Sequence, residues 1–218
     1  MPPPLKPAAS YDRPQSREDF RIAIVCALRL EYDAVSLLFD HFWDSVGEPY
    51  TRAPRGKNIY TAGRVGLHNV VLVLLSGMGE IEAAVSASSL ASSYPNITLL
   101  LLVGICGGVP DLESGDEILL GDVVIGKTIF QYDFGREYPI AFVPKDTAED
   151  KFGRPSKDVR NFIARCETEH EKELLRTDAA KHLGDIQRTA NFKERAHNYL
   201  RSGPAQDKLF PATYHHKH

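Results

Sequence analysis

Short apolar runs alternate with amphipathic or small-residue segments through the first half of the chain. Runs at 21–28 (RIAIVCAL), 69–75 (NVVLVLL) and 97–103 (ITLLLLV) predict strands, because strands buried on both faces lack the polar alternation of half-exposed ones. Segments 31–40 and 80–92 carry apolar or small residues at helical spacing, and they predict the helices between these strands. The pattern predicts an α/β fold with a mainly parallel, sandwiched sheet.

The remaining chain gives weaker patterns. Residues 58–62 predict a further strand that turns back at Gly63 and Gly66, and residues 118–132 are rich in residues that favour strands. The stretches 157–175 and 178–200 are charged and helix-prone, with few apolar positions. They predict a helical C-terminal region with little core of its own.

Composition divides the 218 residues further and excludes several classes of protein. The Pro-rich start predicts a disordered leader over 1–18, followed by an α/β domain over 19–150 and the helical region over 151–218. Residues 1–150 carry 12 basic and 20 acidic side chains, residues 151–218 carry 14 and 9, and the net charge is −3. This balance gives no argument for nucleic-acid binding.

The number of cysteines and the lengths of the apolar runs predict the cellular location of the protein. Its three cysteines are an odd number without close spacing, which argues against a secreted disulfide framework. Its apolar runs are far shorter than the ~20 residues that cross a bilayer. We therefore expect a cytoplasmic protein without a membrane partner.

A phosphate-binding pattern occurs at 121–128, where GDVVIGKT matches G-x-x-x-x-G-K-[ST]. A P-loop needs a flexible loop whose amides wrap a phosphate, and a helix that starts directly after it. The central Val-Val-Ile favours extended structure, and the following residues also predict a strand. A P-loop is therefore the least favoured of the functional readings.

The junction at 76–82 (SGMGEIE) begins like a dinucleotide-binding fingerprint. Glu82 occupies the place of the third glycine, where a small residue is needed for close packing of helix and strand. The strand–Gly–helix junction still leaves backbone N–H groups at a helix N-terminus, which suits an anion or a sugar hydroxyl. A tight turn that needs glycine explains the junction equally well.

Three segments, taken in order, resemble one family. They are CALRLEYDAV at 26–35, SGMG at 76–79, and VGICGG at 103–108 followed by LGDVV at 120–124. This set is similar to the purine/uridine phosphorylase superfamily, which includes the methylthioadenosine/adenosylhomocysteine nucleosidases. The form with QYDFG at 131–135 is similar to fungal proteins in which this domain often stands at the head of larger chains.

The resemblance implies a three-layer α/β/α sandwich with a mixed, mainly parallel central sheet, and it implies homo-oligomers. It also implies cleavage of the N-glycosidic bond of a purine nucleoside by water or phosphate, with no cofactor besides phosphate as a candidate co-substrate. The transition state gains positive charge on the sugar and negative charge on the base. Catalysis should therefore come from holding the nucleophile and stabilising the base.

Glu31 is the catalytic candidate, because it follows the first strand and matches the family position that orients the attacking water. It would act as general base or water ligand, and the alternative is an acid that favours the helix dipole. Cys106 is expected to fill space rather than attack substrate, and Asp133 could bind ligand or cap a turn. The implied ligand contacts are Leu28, Ser76, Gly77, Met78, Gly79, Gly104, Ile105, Cys106, Gly107 and Asp133.

The sequence departs from the family in two ways. Family phosphorylases often carry an arginine and a hydroxyl residue where this chain has Leu102 and Ile105. Neither side chain can donate to phosphate, which favours hydrolysis. The later family segments that grip the ribose and protonate the base are not found in residues 146–218. A catalytically incomplete binding or assembly module is therefore the alternative function. The terminal histidines are not expected to form an ordered metal site.

Overall fold

The computed structural model divides the chain into two compact units. The first comprises residues 1–106 and 185–195, and the second comprises residues 107–184 and 196–218. The structure describes residues 13–43, 50, 58–108, 118–127, 135–138, 141–144, 156–192, 199, 200, 203, 205 and 208.

The first unit contains a five-stranded mixed sheet. Its strands are β1 (Ile22–Cys26), β2 (His41–Phe42), β3 (Tyr60–Val65), β4 (His68–Leu74) and β5 (Leu99–Leu102). Their order across the sheet is β2-β3-β4-β1-β5. Helix α1 (Arg29–Ser36) follows β1, and α2 (Glu80–Ser93) joins β4 to β5. The α/β class and these two helices agree with the sequence prediction.

The sheet is less parallel than expected. β1 is parallel to β4 and β5, whereas β3 is antiparallel to both β2 and β4. β3 and β4 form a hairpin whose turn contains Gly66 at φ 59°, and so short a connection permits only antiparallel pairing. Gly63 was predicted in this turn but lies inside β3, where an added Cβ would be 2.6 Å from the carbonyl oxygen of His41.

Apolar clusters cover both faces of the central strands. Alternate residues of a strand point to opposite faces, so α1 and α2 pack on different sides of β1 and β4. The α1 cluster has Cys26, Val35 and Leu72 as its buried members. The α2 cluster contains Phe20, Ala23, Trp43, Tyr50, Ala62, Val71, Val73, Leu90 and Tyr94. The prediction that these two strands are sandwiched is confirmed.

β5 corrects the prediction of a third strand buried on both faces. It pairs with β1 on one side and forms the edge of the described sheet. Leu100, Leu101 and Leu102 are 47%, 37% and 74% exposed. The apolar run identified the strand correctly, but the cover that it implied is absent from the described residues.

Residues 118–127 also depart from expectation, because no strand forms there. The Asp122 N–H donates to the Leu119 carbonyl at 3.1 Å, and the Leu119 N–H donates to the Asp122 carboxylate at 2.9 Å. Gly121 adopts φ 101° within this turn. These local bonds hold the chain in a turn where the sequence favours extended structure. Residues 128–132 of the predicted strand lie outside the described residues.

The second unit contains an antiparallel hairpin and most of a helical region. Strand β6 (Gly135–Tyr138) pairs with β7 (Ala141–Pro144). The helices are α3 (Lys157–Cys166) and α4 (Glu169–Phe192). They confirm the predicted C-terminal helices, although the break falls at 167–168 rather than 176–177. Among the described residues, no helix has both the length and the apolar character for a membrane crossing.

Two leucines test the difference between the sheet centre and its edge. Leu72→Ala should lower the free energy of unfolding by about 2–5 kcal/mol, since Leu72 is fully buried. Leu102→Ala should change it by less than about 0.5 kcal/mol, as exposed substitutions usually do. Urea denaturation followed by the fluorescence of the buried Trp43 measures both. Equal losses would show that something covers β5 in solution.

Candidate functional site

Three loops meet at the carboxyl edge of the parallel strands. The Leu75 N–H donates to the Cys26 carbonyl at 2.9 Å, and the Val103 N–H donates to the Val25 carbonyl at 3.0 Å. The strand alignment thus continues just past the ends of β4 and β5. The loops that begin at Ala27, Ser76 and Gly104 therefore leave the sheet side by side, with the β1 loop in the middle. Open α/β sheets bind ligands at such edges.

Glu31 ties the central loop to one of its neighbours. Its side chain starts from the first turn of α1, and the residue is 8% exposed. One carboxylate oxygen, Oε2, accepts the N–H groups of Ala27 at 3.1 Å and Leu28 at 2.8 Å. The other, Oε1, accepts the N–H of Ile105 at 2.8 Å. A single side chain thereby holds the loop after β1 against the loop after β5.

These contacts set the charge of Glu31. Burial by itself raises the pKa of the carboxyl, but the hydrogen bonds from Ile105, Leu28 and Ala27 outweigh it and lower the pKa below its ordinary value of 4.5. Glu31 is therefore ionised at neutral pH. A carboxylate with a low pKa is a weak proton acceptor but a good hydrogen-bond acceptor. It has about four acceptor positions, and backbone donors use three of them.

Gly104 leaves the space that this carboxylate occupies. An added Cβ at residue 104 would lie 2.8 Å from Oε1 and 3.1 Å from Cδ of Glu31. The glycine is needed for close approach, since its φ is not in the left-handed region. Glycine at 104 and glutamate at 31 therefore form one packing unit.

Cys26 lies beneath the site, and its thiol is unreactive. It ends β1 and is fully buried. Burial, with a smaller contribution from the negative charge of Glu31, raises the pKa of its thiol to about 11. The thiol therefore stays protonated at neutral pH, and it cannot serve as a thiolate nucleophile.

The loop after β4 brings a second carboxylate to this edge. Gly79 precedes α2 with φ 118°, and the Ser76 hydroxyl donates to the carboxylate of Glu82. Met78 is 75% exposed. The sequence marked Glu82 as unsuited to a dinucleotide fingerprint but not as a site residue. Its position in the first turn of a helix after a glycine loop was the sequence signal that could have identified it as a site residue.

The loop after β5 differs from expectation. Ile105 is 72% exposed, and Cys106 is an exposed free cysteine. The exposure of the Cys106 side chain does not support the expectation that it fills space. Gly107 has nothing within 4 Å of an added Cβ. Leu28 is partly exposed and contributes its backbone N–H to the site.

The other candidates lie elsewhere or outside the described residues. Asp133 and the terminal histidines are outside them. Lys127 of the P-loop-like pattern forms an ion pair with Glu167. No helix starts in the described segment 118–127. Within the described parts of the chain, no group of three or more His, Cys, Asp or Glu side chains could hold a metal ion.

Comparison with known proteins identifies the family. A family model described as the phosphorylase superfamily matches residues 21–190. This range contains the sheet of the first unit, both loops that Glu31 joins, and most of the helical region. The chain belongs to the phosphorylase superfamily.

Curated relatives match shorter parts of the chain. A nucleotide-binding leucine-rich repeat (NLR)-like protein of Hyaloscypha variabilis is 30% identical over 127 residues, which is 55% of this chain and 12% of that protein. The 5′-methylthioadenosine/S-adenosylhomocysteine nucleosidases of Mycobacterium bovis and Mycobacterium tuberculosis are 28% identical over 104 residues, 44% of this chain and 38% of theirs. The matched segments thus span well under half of these relatives.

Two solved structures from Helicobacter pylori are similar over part of the fold. One is its 5′-methylthioadenosine/S-adenosylhomocysteine nucleosidase, with a TM-score of 0.30, 19% identity, and coverage of 41% of this chain and 34% of that one. The other is its futalosine hydrolase, with a TM-score of 0.31, 19% identity, and coverage of 42% and 36%.

Adding a methyl group at residue 104 tests the packing against Glu31. Gly104→Ala should lower the free energy of unfolding by about 1–3 kcal/mol, because the carboxylate must move away from its backbone donors. Gly107→Ala is the matched control, and it should change stability by less than about 0.5 kcal/mol. Denaturation followed by Trp43 fluorescence compares the two variants. A tolerated Gly104→Ala would contradict the observed approach.

The stability of Glu31→Gln as a function of pH tests whether the negative charge of Glu31 stabilises the fold. The substitution should lower the free energy of unfolding by about 1–3 kcal/mol at neutral pH, because one donor then faces an amide NH2 group. Since the folded pKa lies below the unfolded value, the stabilisation is complete above about pH 4.5 and is lost as pH falls through the folded pKa.

The pH measurement compares Glu31→Gln with the wild-type chain from pH 7 down to pH 3. The difference in stability should be constant above about pH 4.5 and shrink below it. Glu173→Gln, at an exposed position of α4, should differ little from wild type throughout. A deficit of Glu31→Gln that persists undiminished at acid pH would argue that the side chain acts through shape rather than charge.

Proposed function

We propose that the chain binds a purine nucleoside at the edge formed by the three loops and cleaves its N-glycosidic bond by hydrolysis. The observation that carries the proposal is Glu31, a buried, ionised carboxylate at the carboxyl end of the central parallel strand. Membership of the phosphorylase superfamily supports the class of reaction. The nucleosidases among the relatives support a nucleoside as the ligand.

Glu31 would act on the nucleophile as a ligand rather than as a strong base. A water molecule would donate one hydrogen bond to the remaining acceptor position of the carboxylate, which orients its oxygen towards C1′. The C1′–N bond breaks as the new C1′–O bond forms, and its electron pair leaves with the base. The base gains a proton and the water loses one. The negative charge of Glu31 also stabilises the positive charge that develops on the sugar.

Water is favoured over phosphate as the nucleophile. Phosphate binding in proteins depends on charge-assisted donors. The segment from Leu102 to Gly108 offers no basic or hydroxyl side chain, and Ile105 contributes its backbone N–H to Glu31 instead. The loops at 76–79 and 104–107 would contact the sugar and the base, as the family resemblance implies.

A nucleoside-binding module without turnover is the second candidate. The exposure of Met78, Leu102 and Ile105 favours it, because stabilisation of charge is strongest where water is excluded. The NLR-like relative is also compatible with a role in binding or assembly. The two candidates share the ligand and differ in whether free base appears.

Quantification of free base by chromatography tests the proposal. The full chain is incubated with adenosine, inosine or methylthioadenosine, each with and without inorganic phosphate. Release of base at the same rate in both conditions is expected. Glu31→Gln should lower the rate by at least about 100-fold, the range seen when a positioned catalytic group is removed. The matched control Glu173→Gln should keep the wild-type rate.

Each alternative has its own result. Phosphate-dependent release would replace hydrolysis by phosphorolysis. Saturable nucleoside binding without release, at any protein concentration, would favour the binding module. Full activity of Glu31→Gln, with a folded state confirmed by circular dichroism, would remove Glu31 from the mechanism.

A further inference from the structure

Hydrogen bonds tie the first turn of α1 to the sheet in two directions. In one direction, the Glu31 carboxylate accepts the N–H of Ile105, just beyond β5. In the other, the hydroxyls of Tyr32 and of Thr61 on β3 share a hydrogen bond of 2.5 Å. The strand order is β2-β3-β4-β1-β5. The two bonds therefore connect neighbouring residues of the helix to strands on opposite sides of β1.

The Tyr32 side chain passes over β4 to reach Thr61. It packs against the α1 cluster, whose member Leu72 is the residue of β4 that pairs with Thr61. The Tyr32 N–H also donates to the Leu28 carbonyl at 3.1 Å, which closes the first turn of the helix. A shift of this turn along or across the sheet would break the bond between the two hydroxyls.

The placement of the Glu31 carboxylate depends on the same turn. It lies 2.8 Å from the nitrogen of Leu28 and 2.8 Å from the nitrogen of Ile105. Leu28 moves with α1, whereas Ile105 belongs to the loop after β5, so a shift of the helix lengthens the bond to Ile105. Apolar packing is not directional, and it restricts such a shift less closely than a hydrogen bond with defined geometry.

We propose that Tyr32, through its hydrogen bond with Thr61, is a positioning residue that keeps the Glu31 carboxylate within reach of the Ile105 N–H and of the attacking water. The chemical consequence rests on the proposed function, because it concerns the ligand of the proposed nucleophile. The coupling between Tyr32 and Ile105 is a property of the folded chain and does not depend on release of base.

The neighbouring residue of β3 supplies a matched control. Tyr60 points to the opposite face of the sheet, where its hydroxyl donates to the hydroxyl of Ser93 at the end of α2, at 3.2 Å. Tyr32 and Tyr60 are both half-buried, and each links β3 to a helix. Loss of either hydroxyl should lower the melting temperature by about 2–4 °C, as expected for one hydrogen bond in a chain of this size.

Amide hydrogen exchange at Ile105, followed by NMR, tests the position of the carboxylate without reference to activity. Tyr32→Phe should speed this exchange at least about fivefold, the factor that corresponds to the loss of one hydrogen bond. Thr61→Val removes the same bond from its other end and should have the same effect. Thr61→Ser keeps the hydroxyl and should exchange like wild type, and Tyr60→Phe should change the rate less than twofold.

The base-release assay provides a second readout, in which position and stability have different effects. Tyr32→Phe and Thr61→Val should each lower kcat at least about tenfold and change KM less than twofold, because a misplaced group reduces the rate more than binding. Tyr60→Phe should keep the wild-type kcat, since its loss of stability leaves α1 in place.

Three exchange results would overturn the inference. They are unprotected exchange of Ile105 in the wild-type chain, an unchanged rate in Tyr32→Phe and Thr61→Val, and an equal acceleration in Tyr60→Phe. Should Tyr32→Phe fail to fold, Thr61→Val decides the question in the same way.

The two readouts separate this inference from the proposed function. A wild-type chain that releases no base, with faster Ile105 exchange in Tyr32→Phe, would remove the proposed function and keep the coupling. Base release by the wild-type chain, with unchanged exchange and kcat in Tyr32→Phe, would do the reverse.

Discussion

The hydrogen bonding of one buried carboxylate organises this part of the molecule. Glu31 accepts three backbone N–H groups, two from its own loop and one from a loop 74 residues later in the chain. Hydrogen bonds to a charged acceptor are each worth about 1.5–3 kcal/mol, which offsets the cost of burying the charge. Because the donors are backbone groups, these three hydrogen bonds fix the path of both loops and leave the side chains of Leu28 and Ile105 unconstrained.

This arrangement gives the site its chemical character. The three parallel strands β1, β4 and β5 deliver their loops to a common edge, and the charge at that edge is mainly negative. In the proposed reaction, a negative edge would suit a sugar that becomes positive as its base departs. The fold thus determines the position of the site, whereas Glu31 and Glu82 make the charge at this edge negative. A buried Cys26 with a raised pKa adds no competing nucleophile.

Local sequence pattern was a good guide to strands and a poor guide to their neighbours. The runs at β1, β4 and β5 look alike, and all three form strands. Among the described residues, only the first two are covered on both faces, because an apolar run reports burial tendency and carries no information about which element lies beside it. At 118–127 the bonds between Leu119 and Asp122 outweighed β-branched propensity, a conflict that composition cannot resolve.

The site was only partly predictable for a similar reason. The resemblance selected Glu31, and strand order explains why its loop meets the loop at Gly104. Two of its donors, Ala27 and Leu28, are local, as expected of a glutamate at the third position of a helix. The third donor, Ile105, depends on a long-range contact that no local rule predicts. The sequence singled out Glu82 only because the dinucleotide-binding fingerprint has a glycine at that position. Such a comparison does not reveal what the glutamate itself contacts. Its hydrogen bond with Ser76 became visible only with the geometry of the turn.

The close approach of Gly104 to Glu31 also bears on how this edge could change over evolutionary time. Neither residue can be replaced freely while the other stays: a side chain at 104 needs the space of the carboxylate, and loss of the carboxylate leaves the N–H of Ile105 without its acceptor. A viable change would therefore require substitutions at both positions, in either order, with the second following soon after the first. Among related sequences, the two sites should therefore vary as a pair, although they stand 73 residues apart in the chain.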